Sequence, residues 1–115
     1  MALSSRNDTK PIILTGLYFQ IMTTLAAGPM HGYSIAKTCD RESNGAIAPA
    51  PGALYAAIAR LSALGFIIRI ERTIGAGSAN PRQVYALTEA GRGILGSEAD
   101  RLAVVASLAR KRLRE

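Results

Sequence analysis

Between Gly28 and Gly65 a glycine or a proline stands at nearly every joint, and this punctuation dictates how the stretch folds. Gly28-Pro29 closes whatever helix precedes it, because proline cannot continue a helix and glycine readily turns out of one. A short helix follows from about His31 to about Glu42. Ser43-Asn44-Gly45 is a turn signal. Pro49 and Pro51 bracket the entry to a second helix, which runs from about Pro51 to Leu64. Gly65 is placed to cap that helix in the left-handed conformation. At about 100° per residue, Leu54, Ala57, Ile58, Leu61 and Leu64 of the second helix share one side, the side for a core. Gly52, Tyr55, Ala56, Ala59, Arg60 and Ala63 lie on or beside the other.

The flanks complete a small α/β pattern. From Pro11, a residue suited to the first turn of a helix, Leu14, Leu17, Tyr18, Ile21 and Leu25 recur at helical spacing. Ile12, Ile13, Phe19 and Met22 add apolar groups on the remaining faces. A helix apolar nearly all round must be covered on more than one side, and in a chain of 115 residues a second subunit is the expected cover. Phe66 to Thr73 reads as a strand with Phe66, Ile68 and Ile70 on one face. Gly75 to Pro81 is a loop, and Arg82 to Leu87 is the returning strand with Tyr85 and Leu87 inward. Ile47 is a candidate short edge strand. Thr88 caps a final helical region, with Glu89 at its positive end. Gly91, Gly93 and Gly96 weaken its first turns by up to roughly 1 kcal/mol each relative to alanine, and Ser97-Glu98-Ala99-Asp100 could restart it. One kinked helix and two helices both fit. The fold class is mainly α with a small β-hairpin, a winged helix-turn-helix followed by a C-terminal helical region.

Fourteen Lys and Arg against eight Asp and Glu give a net charge of +6, a balance that favours anionic partners such as nucleic acid. The bare face of the second helix suits close approach. A solvated face usually carries several charges; this one carries Arg60 on a bed of small residues, Gly52, Ala53 and Ala56 among them. Small residues let a helix lie deep in a major groove, where arginine reads a guanine edge and alanine methyls touch thymine methyls. Tyr55 can donate to a phosphate. The same methyl-lined face also suits packing against another helix, so a protein partner is the alternative. At the start of the first helix, backbone N–H groups make an anion site, with Gly32 leaving room and Tyr33, Ser34 and Lys37 as phosphate contacts. His31 reads either as an N-terminal capping group or as a phosphate contact. Arg72 and Arg82 at the feet of the hairpin would grip a phosphate backbone; an ordinary solvated hairpin carries such cations too.

Other classes lack their residues. A single cysteine, Cys39, rules out an intramolecular disulfide and a cysteine-based metal site, and its helical spacing from Ile35 and Ala36 makes it a small core residue. The one histidine sits at a helix start, and no nucleophile–base pair, carboxylate pair, metal-ligand cluster or phosphate-cradling loop accompanies it. No catalytic residue, metal or cofactor is expected. No apolar run approaches the ~20 residues of a membrane span, and the polar segment 1–10 lacks the apolar core of a secretory signal, so a cytoplasmic location and no membrane partner are expected.

Taken in order, Leu25-Ala26-Ala27-Gly28-Pro29-Met30-His31-Gly32-Tyr33-Ser34-Ile35, Pro51-Gly52-Ala53-Leu54-Tyr55, Arg60-Leu61, Gly65-Phe66-Ile67 and Arg82-Gln83-Val84-Tyr85-Ala86-Leu87-Thr88-Glu89-Ala90-Gly91 resemble the PadR family of bacterial transcriptional regulators. The resemblance covers about Ile12 to Leu102. The segment 1–10 itself reads as a flexible tail. The resemblance implies a winged helix-turn-helix DNA-binding domain over 11–88 and a C-terminal dimerisation helix over 89–115, as in the compact, single-domain branch. It implies a homodimeric repressor of double-stranded DNA whose recognition helix starts at Pro51 and whose last helix makes the dimer with the first. Leu14, Leu17, Tyr18, Ile21, Leu95, Leu102, Val105 and Leu108 are the seam residues expected on that basis. A small apolar or aromatic effector at the seam, releasing DNA, is a further implication; a dry seam is the alternative. Ala50 and Ala53 depart from the family pattern, which often has Ser or Thr there, and so remove a helix cap.

Overall fold

The computed structural model describes residues 14, 16–71 and 83–115. Within them, helix α1 (Gly16–Ala26) leads into strand β1 (Met30–His31), helices α2 (Gly32–Glu42) and α3 (Pro51–Ala63), strands β2 (Ile67–Glu71) and β3 (Gln83–Leu87), and helix α4 (Glu89–Arg114). The three strands form one antiparallel sheet in the order β1-β3-β2. Met30 pairs with Tyr85 and His31 with Val84, while β2 and β3 run in register from Ile67–Leu87 to Glu71–Gln83. The four helices and this sheet make a winged helix-turn-helix, the expected class.

The core explains the layout. Ile21, Met22 and Leu25 of α1, Ile35 and Cys39 of α2, and Leu54, Ala57, Ile58 and Leu61 of α3 are buried, and Phe66, Ile67 and Tyr85 close the sheet side. Helix α1 touches α2, α3, α4 and β3, so its many apolar faces are satisfied largely within the one chain. Leu14 is buried at 6% exposure and Ile21 at 0%. Both had been expected at a subunit seam; the chain's own core encloses them instead. Cys39 is a core residue as expected, its Sγ 3.8 Å from Thr24 Oγ1, and burial pushes its thiol pKa up.

Helix α3 ends as its sequence dictates. Gly65 adopts φ +80°, Phe66 N–H donates to Leu61 O and Gly65 N–H donates to Ser62 O, both at 3.0 Å. This is the paired hydrogen-bond pattern of a left-handed helix stop. Thr88 then joins the two halves of the fold. Its hydroxyl donates to Gly65 O at 2.7 Å and accepts from Gly91 N–H at 3.0 Å, while its own N–H donates to Phe66 O at 3.0 Å.

Three details differ from expectation, and a fourth resolves a choice the sequence leaves open. The third strand is Met30–His31 and not Ile47, because Ser43 Oγ bonds both the N–H and the carbonyl of Ile47, at 2.8 and 3.3 Å, and so competes with a ladder. In β2 Ile67 is buried while Ile68 is 54% exposed and Ile70 only half-buried, so Phe66, Ile68 and Ile70 do not share one buried face; Phe66 still belongs to the turn that ends α3, and its burial does not set the phase of the strand. Leu64 is 37% exposed at the end of α3, off the buried face. Helix α4 is one helix of 26 residues running through all three glycines. Pro11 and the segments 1–10 and 75–81 lie outside the described residues.

Candidate nucleic-acid interface

Helix α3 presents two unlike faces. Leu54, Ala57, Ile58 and Leu61 are 0–3% exposed. Gly52, Ala53, Tyr55, Ala56, Ala59, Arg60 and Ala63 are all exposed. The outward face therefore offers a low relief of methyl groups, one guanidinium and one phenol. At its start, Ala50 occupies the capping position and gives no side-chain hydrogen bond, with Pro51 in the first turn. The first backbone N–H groups of the helix thus have no side-chain cap, a favourable setting for an anion.

Helix α2 starts in the same way. His31 occupies its capping position in extended conformation, yet its side chain makes no capping bond, so the expected capping role fails. Its Nε2 is buried without a hydrogen-bond partner. Tyr33 is 67% exposed, Lys37 is exposed and Ser34 half-buried. Lys37 Nζ sits 5.2 Å from the centre of the Tyr33 ring, within cation–π range. The room that Gly32 leaves is filled from inside the protein: a Cβ there would collide with Tyr55 Oη and lie 2.8 Å from Tyr55 Cζ. Tyr55 thereby joins the start of α2 to the outward face of α3 while remaining 48% exposed. Arg72 and Arg82 lie outside the described residues.

The remaining expected residues fall on α1 and α4. Leu17 and Tyr18 are half-buried and pack on the core, as does Leu95. Leu102, Val105 and Leu108 are exposed at 36%, 50% and 40%, with Val104 at 68%. Every residue from 99 to 115 is exposed, so the second half of α4 projects past the folded body with none of the other described residues over it.

Glu98 is the residue the sequence did not reveal. It lies in mid-helix, 3% exposed. Its carboxylate accepts from Leu14 N–H at 2.8 Å and from Arg101 Nε and Nη2 at 2.9 and 3.1 Å. It latches the segment before α1 to α4 across 84 positions. The Arg101 hydrogen bonds foremost, then the Leu14 N–H, hold the carboxyl below the usual carboxylate range. A lowered folded-state pKa stabilises the fold above the unfolded value and loses that stabilisation as pH falls through the folded value. Thermal melts of wild type should therefore drop on acidification below about pH 4, where carboxylates titrate. Glu98→Gln should melt lower at neutral pH and show a flatter response in that acid window; an equally steep response would refute the latch.

The transcriptional regulator PadR-like family model matches residues 21–97, more than half of the chain. A Streptomyces fradiae protein, an uncharacterized 37.1 kDa protein in transposon TN4556, is 36% identical over 83 residues, 72% of this chain. The chain spans only 22% of that relative's length. A PadR family transcription regulator from Clostridium difficile has the same fold, with a TM-score of 0.74 at 20% identity over 86% of this chain and 99% of that one. Bacillus subtilis PadR in complex with operator DNA is similar at a TM-score of 0.62 and 25% identity, over 72% of this chain and 46% of that one. Among the described residues no helix is long and apolar enough to cross a membrane.

Proposed function

Because this chain belongs to the PadR-like family of transcriptional regulators, we propose that it is a homodimeric, sequence-specific repressor that reads double-stranded DNA with helix α3. The observation that carries this is the outward face of α3, where Gly52, Ala53, Ala56, Ala59 and Ala63 surround Arg60 and no carboxylate intrudes. Arg60 supplies base readout at a guanine, and the alanines allow the helix to approach. Tyr33, Ser34, Lys37, Tyr55 and His31, with Arg72 and Arg82, grip phosphates. The resemblance of the fold to a regulator solved with operator DNA supports the same assignment, as does the net charge of +6.

The division into a DNA-binding body, 11–88, and a dimerisation helix, 89–115, belongs to this proposal. Two copies join through the exposed apolar flank of α4. A patch of Leu102, Val104, Val105 and Leu108 on a lone helix is an apolar surface awaiting a cover. A two-fold dimer places two recognition helices about 34 Å apart, matching a pseudo-palindromic operator. An open groove along α4 lined by Ala103, Val104, Ser107, Leu108 and Lys111 would be closed by the partner's helix, a place for a small apolar effector that changes the spacing of the two reading heads.

Selection of bound sequences from a random duplex pool tests the proposal. It should return a two-fold symmetric motif with half-sites one helical turn apart. On that motif Arg60→Ala should cost roughly 1–3 kcal/mol and relax the preference at one position per half-site. Losses that are equal on every sequence would move Arg60 from base to phosphate. Failure to enrich any motif, together with salt-insensitive capture of a protein partner on the α3 face, would make the fold an adaptor instead.

A further inference from the structure

Gly32 is the first residue of α2 and is buried. Its backbone does not call for glycine. Among the described residues the glycines with positive φ are Gly28, Gly45 and Gly65, and alanine is the better helix former. What excludes a side chain at Gly32 is Tyr55 of α3. A Cβ there would collide with Tyr55 Oη and lie 2.8 Å from Cζ and 2.9 Å from Cε1. The core gains little from this seat, because Tyr55 stays 48% exposed. We propose that Gly32 is a positioning residue for DNA binding: its bare backbone seats the Tyr55 hydroxyl beside the start of α2, where that hydroxyl donates to a DNA phosphate. The proposal rests on the assignment of α2 and α3 to DNA binding.

The geometry of the seat carries the argument. The atoms nearest the missing Cβ are Oη, Cζ and Cε1, so the ring reaches Gly32 with its hydroxyl end. That end lies at the first turn of α2, which receives no side-chain cap from His31. A tyrosine hydroxyl and the N–H groups of a helix start are both ordinary phosphate contacts, and a single glycine brings them to one place. The Lys37 ammonium, over the neighbouring Tyr33 ring, adds positive charge on the same helix. Tyr55 is thus anchored on α3 at its backbone and against α2 at its tip. Without the seat the ring would sample other rotamers, and the contact would lose the advantage of being ordered before DNA arrives.

Gly32→Ala tests this. The far end of a half-exposed side chain can swing aside, so the variant should fold and melt close to the wild type. Its affinity for the selected duplex should fall by about tenfold or more, the loss expected when one hydrogen bond to a charged group goes. The loss should be equal across sequences, because phosphates carry no base information. The salt slope should stay unchanged, because a neutral hydroxyl releases no counterion. Tyr55→Phe should reproduce all of these effects. In Tyr55→Ala the seat is empty, and adding Gly32→Ala should then cost less than about twofold, as for a residue that acts only through its neighbour.

A full loss that persists in the Tyr55→Ala background would mean that the Cβ blocks the phosphate itself, and overturns the positioning role. So does Gly32→Ala protein that binds like wild type, or that melts far below it. Those outcomes, on a wild type that binds duplex, leave the DNA assignment standing. A wild type that binds no duplex at low salt removes that assignment and the role of Gly32 with it.

Discussion

Leu102→Glu combined with Val105→Glu should convert the protein to a monomer and lower its affinity for the selected duplex by ~10²- to 10⁴-fold, the gain that two linked binding units ordinarily supply. These side chains are exposed at 36% and 50% in the part of α4, residues 99–115, where every residue is exposed. Exposure is also why the variant should fold: no core contact is removed, and each winged helix-turn-helix keeps its buried residues. Placing two carboxylates opposite their copies across an apolar seam costs both desolvation and like-charge repulsion. Sedimentation and duplex titration together check the result. A variant that stays dimeric would move the seam off this flank, and a monomer that binds as tightly as wild type would remove the need for two reading heads.

Gly91→Ala should destabilise the fold by about 1–3 kcal/mol, the usual penalty of overpacking, although helix propensity alone would make alanine the better residue. A Cβ at Gly91 would strike the Phe66 carbonyl oxygen and lie 2.8 Å from Leu87 Cδ1. The carbonyl is backbone, in the turn held by Thr88, and cannot swing aside. Gly93 and Gly96 are in the same helix but exposed, and a Cβ on either meets nothing within 4 Å. Gly93→Ala and Gly96→Ala should each stabilise by ~0.5–1 kcal/mol. Three glycines within six positions thus carry opposite signs, and melting temperatures should separate them by about 4–8 °C per kcal/mol. A stabilising Gly91→Ala would contradict the packing described at the start of α4.

That contrast shows where a sequence informs and where it does not. The helix-turn-helix is legible because its boundaries are local: Gly28-Pro29, Pro51 and Gly65 stop or start helices by backbone geometry, and the buried face of α3 follows from period. The Thr88 cap is local too. Strand β1 is only Met30–His31, too short for any period to register, and Ile47 looked the better strand until Ser43 took its backbone groups. The continuity of α4 was hidden because Gly91 is retained for packing against Phe66, a contact 25 residues away that no propensity records. Glu98 stood only in a segment that could restart the helix, because its partner, Leu14 N–H, is 84 positions distant. Leu14 and Ile21 read as seam residues for a related reason. An all-round apolar helix announces that it needs cover, and the sequence does not say that α2, α3 and α4 of the same chain provide most of it. On the reading face, exposure of the alanines and Arg60 was legible; the seating of Tyr55 over Gly32 was not, since it joins two helices.

Equilibrium titration of the purified protein against double-stranded DNA across ionic strength tests the central claim most directly. Binding should be evident at low salt and fall linearly in log affinity with log salt, with a slope of about −0.9 per phosphate neutralised. No association with any duplex at low salt, in the absence of ligand, would contradict it.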